Sequence, residues 1–147
     1  MPMPQVIPAS ITVVPLDDPL VERYGFGPNS MYVEYVILPL MGPSTVWLYR
    51  RLGVMVLTAD ETVVDIADLG RSLGVGGVGR NSPMVRSLGR LEAFGGSSWN
   101  GEIYAVRRAL APVSARQLAR LPEIARRVHD RAQRRDDVNV RLVPVDS

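Results

Sequence analysis

Residues 97–108 read SSWNGEIYAVRR, with Asn100-Gly101 set between two runs that alternate polar and apolar residues. That pair in that setting is the strongest short-range hairpin signal, because both central residues of a tight turn need positive φ. The hairpin constrains what precedes it. Gly95 and Gly96 end a helix, PMVRSLGRLEAFG, over residues 82–95, with Ser82 as N-cap and Pro83 at the first helical position. Met84, Val85, Leu88 and Leu91 face inward. Ser82, Arg86 and Arg90 recur every four residues with Ser87 beside them, which predicts an outward stripe. Further upstream, TVVDI predicts a short strand. Asp65 then caps a helix over 65–75, with Asp68 in its first turn and Ile66, Leu69 and Leu73 on one stripe.

Between the two helices lies GVGGVGRNSP, which contains Gly74-x-Gly76-x-x-Gly79. The pattern matches dinucleotide-binding loops, but a Rossmann fingerprint follows a strand and opens a helix within a βαβ unit. Here the glycines follow a helix and a hairpin comes next. The stretch therefore reads as an inter-helix turn.

The flanking segments follow from proline placement. Residues 1–28 hold six of the twelve prolines and form an extended N-terminal arm, with SITVVP as an edge strand or docked segment. A helix begins after Asn29 or Ser30 through MYVEYVILPL, and Pro39 is expected to kink or end it. Ser44 is expected to cap the next helix, TVWLYRRLGVMV. That helix is apolar around most of its circumference and so belongs in the core. Residues 114–147 form a C-terminal helix and tail: SARQLARLPEIARRVHDRAQRR is capped by Ser114 and bent at Pro122. Its seam of Leu118, Leu121, Ala125, Val128 and Ala132 fits docking on its own domain better than a coiled coil. The body of the domain is residues 29–113, giving an α+β chain that is mainly α.

Composition removes several chemistries. There is no cysteine, so disulfides, thiolate metal sites and thiol nucleophiles are excluded. All 17 basic residues are arginine, which excludes Walker-type loops and lysine Schiff bases. The start, MPMPQVIPAS, is not a secretory signal, and the apolar run around Pro39, Gly42 and Pro43 is too broken to span a membrane. His129, the lone histidine, reads as solvated on an Arg-rich helix. The adjacent acidic pairs Asp17-Asp18, Asp60-Glu61 and Asp136-Asp137 read as loop solvation or caps. Neither suggests an enzyme, a metal or a cofactor. Charge is uneven: residues 1–79 hold 4 Arg and 8 acidic residues, and residues 80–147 hold 13 Arg and 7 acidic residues. That asymmetry suits either a basic face for an anionic partner or a surface of local ion pairs.

The order helix, short strand, helix, turn, helix, hairpin over residues 44–110 resembles winged helix-turn-helix DNA-binding proteins. DIADLGRSLGV, SPMVRSLGRLEAFG and the SSWNGEIYAVRR wing carry the likeness. The wider run from YVEYVILPLMGPSTVWLYRRL onward is similar to small winged-helix proteins of actinobacteria and their phages, over roughly residues 17–125. The glycine-rich turn is longer than the three or four residues of a simple helix-turn-helix.

The resemblance implies double-stranded DNA binding in transcriptional regulation, and a cytoplasmic, nucleoid-associated location. The third helix would lie in the major groove, and the wing would lie on backbone or minor groove. In that frame Arg86 and Arg90 fork onto guanine, and Asn81, Ser82 and Ser87 lie along the same helix. Arg80 meets the backbone, Trp99 and Asn100 sit at the wing tip, and Arg107 or Arg108 reaches DNA from the wing's second strand. Structural alternatives stand beside these: Trp99 covering the hairpin, Arg90 paired with Glu92 or Glu102, and Arg107 balancing an acid of the first half. The rival function is a winged helix used for protein interaction or dimerisation, with the N-terminal arm or the C-terminal helix holding a second copy.

Overall fold

The computed structural model describes residues 8–76 and 82–134. Among the described residues the sheet has four strands: β1 (Ser10–Leu16), β2 (Thr62–Asp65), β3 (Ser97–Trp99) and β4 (Ile103–Arg107), in the order β2-β1-β4-β3. β1 pairs antiparallel with β2 and parallel with β4, while β3 and β4 form the antiparallel hairpin. The class is α+β, as expected. The place of β1 is not. SITVVPL was expected at an edge or as a docked arm, and it lies inside the sheet. Its alternation explains the fit, with Ile11 and Val13 buried on one face. Pro15 is tolerated because it falls past the last β2 pair, Val13 with Thr62, where β4 is the strand's one neighbour.

The helices begin with α1 (Pro19–Tyr24). A π-helical segment, Val33–Ile37, runs into α2 (Leu38–Met41), and α3 (Pro43–Thr58) follows. Pro39 does not end its helix. The Leu38 N–H reaches back five residues to the Val33 carbonyl, and the wider turn moves the carbonyls that a proline ring would otherwise strike. The helix stops three residues later, at Gly42. Gly42 also occupies the N-cap of α3, without a side-chain hydrogen bond; the expected cap, Ser44, instead meets the Ser87 hydroxyl at 3.2 Å. α3 packs on β1, β4 and α5 (Pro83–Phe94), burying Val46, Leu48, Tyr49, Leu52 and Val56. This is the central helix that its all-round apolar pattern predicted. β2 runs directly into α4 (Ile66–Ser72).

The C-terminal helix is two helices. Ser114 caps α6 (Ala115–Leu118) in a reciprocal capping box with Gln117, and Pro122 restarts the chain as α7 (Glu123–Gln133). Leu121, Ala125, Val128 and Ala132 are buried, and α7 docks on the π segment of its own domain. The apolar seam that a dimer helix would use is thus covered from within, as β1 is by the sheet.

His129 is also buried, not solvated. It belongs to the same seam, four residues after Ala125. Its Nδ1 lies 2.8 Å from the Tyr32 hydroxyl, which accepts from the Val113 N–H at 3.1 Å. The Tyr32 hydroxyl thereby links the ring nitrogen and the Val113 N–H in one buried chain of hydrogen bonds. Burial pushes the Tyr32 phenol up to about 12, so it stays a donor at neutral pH. Removing that hydroxyl orphans a buried N–H and a buried ring nitrogen. Tyr32→Phe is therefore expected to cost about 1–3 kcal/mol in urea unfolding, with the fold retained.

Candidate functional site

The glycine stretch begins as a helix stop. Gly74 sits in the left-handed region at φ 69; its N–H donates to the Arg71 carbonyl, and the Val75 N–H donates to the Gly70 carbonyl at 2.8 Å. Those two bonds are a Schellman motif. It requires positive φ at residue 74, and Val75 completes it by packing on the core. Gly74 therefore closes α4 rather than opening a phosphate loop. Asp65 opens α4 as expected, accepting from the Asp68 N–H at 2.7 Å. The helix ends at Ser72, short of the predicted residue 75. Arg80 and Asn81 lie outside the described residues.

α5 starts where predicted, with Ser82 accepting from the Val85 N–H at 3.3 Å and Pro83 in the first turn. Met84, Val85, Leu88 and Leu91 are buried. Two residues of the expected outward stripe are not outward. Ser82 is buried because its hydroxyl folds back as the cap. Ser87 is buried because it lies three residues from Met84 and four from Leu91, on the core stripe, with its hydroxyl against Ser44. The exposed stripe is Pro83, Arg86, Arg90 and Ala93. Neither Arg86 nor Arg90 has a carboxylate within ion-pair distance among the described residues, and Glu92 instead accepts from the Trp99 N–H at 2.9 Å.

The hairpin departs furthest from the expected site. Trp99 is 2% exposed; its ring packs beside Tyr104 and is not presented at a tip. The turn is shifted by one residue. Trp99 pairs with Tyr104, so the central positions are Gly101 and Glu102, and Gly101 takes φ 98. The Asn100 Oδ1 sets this register by accepting from the N–H groups of both Glu102 and Ile103. Asn100 is exposed, but its side-chain oxygen serves the turn.

Arg107 is not free either. It donates from Nε to the Gly95 carbonyl and from Nη1 to the Asp18 carboxylate, both at 2.7 Å. Arg108 pairs with Asp17 and Glu22. β4 stops at Arg107, so strand alternation does not send the two arginines to opposite faces. Instead both are held by the acidic residues around α1. The alternative that Arg107 balances an acid of the first half holds, with Asp18 as that acid; the pairing of Arg108 with Asp17 and Glu22, some ninety residues away in sequence, was not read. The adjacency of Asp17-Asp18 to an Asp-capped helix was the one available hint. Asp18 does cap α1, accepting from the Val21 N–H at 3.2 Å.

Comparison with protein-family models, with characterised proteins and with solved structures finds no significant match in any of the three. Among the described residues no helix is long and apolar enough to cross a membrane.

The hydrogen bond from Val21 and the Arg107 guanidinium hold the Asp18 carboxyl below its ordinary value of 3.8. A lowered native pKa means that the unfolded chain binds the proton more readily. The stabilisation is therefore complete above the ordinary carboxylate range and is lost as pH falls through the native value. Asp18→Asn should flatten this acid-side decline when thermal unfolding is followed from pH 6 downward.

Proposed function

We propose that the chain binds double-stranded DNA through α5, as the recognition helix of a winged helix formed by α3, β2, α4, α5 and the β3–β4 hairpin. The observation that carries the reading is a contrast between arginines. Arg50, Arg71, Arg107, Arg108 and Arg127 each pair with a carboxylate, whereas Arg86 and Arg90, exposed one turn apart on α5, pair with none among the described residues. Arg51, Arg116, Arg120, Arg126 and Arg134 also lack a carboxylate partner there, but they lie outside the helix that leads into the hairpin. Two forked cations on one exposed helical face match the N7 and O6 acceptors of guanine in the major groove. Element order supports the same reading, because β2 and the hairpin share one sheet and α4 and α5 lie between them in sequence.

Two features shift the emphasis from wing to helix. Trp99 and Arg107 are engaged internally, and the tip of the hairpin carries Glu102. The reading site therefore contracts to α5 and the segment leading into it. β1 is an addition inside the sheet that leaves the outer face of α5 open. Regulation of transcription follows as the role if binding is sequence-specific.

A second reading has its own support: Trp47 and Val54 are 55% and 40% exposed, seven residues apart on α3, and with Arg50 over the Trp47 ring and Arg51 exposed between them they give a mixed apolar and cationic stripe for a protein partner.

Fluorescence anisotropy with a GC-rich duplex, titrated with salt, tests the first reading. Wild type should bind with a steep salt dependence. Arg86→Ala/Arg90→Ala should lose roughly tenfold or more in affinity and the preference for the GC-rich duplex over an AT-rich one, with an unchanged melting temperature. Absence of binding at low salt defeats the proposal and turns attention to the α3 stripe.

A further inference from the structure

The outer face of α5 also borders an open, groove-like cavity on the surface. It has a volume of about 450 Å³ and lies between the α2 end and α5, lined by Pro39, Leu40, Met41, Gly42, Ala93 and Phe94, with Arg90 at its side. That volume is within the range of small-molecule sites. The lining has a definite chemistry: every residue but Arg90 is apolar or glycine. The Arg90 guanidinium is oriented toward this space, since one of its terminal nitrogens lies 3.6 Å from where a Cβ on Gly42 would stand.

One cation against an otherwise apolar wall specifies its ligand. A neutral hydrocarbon would leave the guanidinium facing apolar matter. A phosphate would fill the polar corner and leave the partly exposed Leu40 and Phe94 uncovered. A compact aromatic monocarboxylate satisfies both parts: its two oxygens match the guanidinium fork, and its ring covers the apolar residues. We infer that this cavity binds an aromatic monocarboxylate through Arg90. The inference does not depend on DNA binding, because the cavity and its cation are present whether or not α5 reads a duplex.

Isothermal titration of the full chain with benzoate, and with benzamide as its uncharged counterpart, tests the site. Benzoate should bind saturably, about tenfold or more tighter than benzamide. Arg90→Gln should abolish that preference, and Arg86→Gln, one turn away and outside the cavity lining, should keep it. Equal binding of the two compounds, loss of the preference in Arg86→Gln, or no saturable heat with benzoate would each overturn the inference. A melting curve of Arg90→Gln alone confirms that the variant is folded. The readout is ligand heat without DNA, so a failed duplex-binding experiment leaves this result standing, and the converse also holds.

Discussion

β1 is the one described neighbour that β2 has in the sheet, and β2 passes without a break into α4. Asp65 does both jobs, as the last strand residue and as the cap of the helix. The position of α4 therefore traces back through four residue pairs to β1, and α5 follows α4 in the chain. On its other side β1 holds β4, whose hairpin partner β3 is tied to α5 by the bond from the Trp99 N–H to Glu92. Both ends of the helical pair are thus fixed to one strand. The buried Ile11 and Val13 lie in that strand, which α3 packs against, so its backbone pairing and its burial reinforce each other.

Charge in the fold is arranged by contact rather than by region. The basic excess of residues 80–147 suggests a broad positive face, but the acids near α1 draw off Arg107 and Arg108, and Glu123 takes Arg127. These pairs are partly exposed, and each contributes little to stability in water. Their effect is mainly one of selection. They leave Arg86 and Arg90 on the outer face of α5 without a carboxylate partner among the described residues, as they also leave Arg116, Arg120, Arg126 and Arg134 near the C-terminal helices.

Much of the local structure was legible because its causes are local. Ser82, Asp65 and Ser114 act as caps through bonds three residues away, and the inward residues of α5 follow from its period. The seam of α7 was legible for the same reason. What could not be read depended on distant partners or on competition between neighbours. Nothing in SITVVPL announces strands on both sides, and the prolines argued against it. The Asn-Gly pair gave the hairpin but not its register, because the Asn100 oxygen captures two N–H groups and moves the turn on by one residue. Ser87 was misplaced by its proximity to the arginine stripe, when its angle puts it on the core side. His129 was judged from its charged neighbours, while Tyr32 lay far back in the chain.

The parallel pairing of β1 with β4 joins Thr12 to Ile103. During synthesis the first strand emerges long before the strand it must lie beside, and everything between them has to be made first. Helices α3 to α5 can form from local contacts in that interval, whereas closing so long a loop is slow. Until residue 107 has left the ribosome, Ile11 and Val13 stand on a strand with an open edge, available to any other chain at the same stage. The time for which the growing chain is exposed to misassembly is therefore set by the position of one short strand in the order of translation.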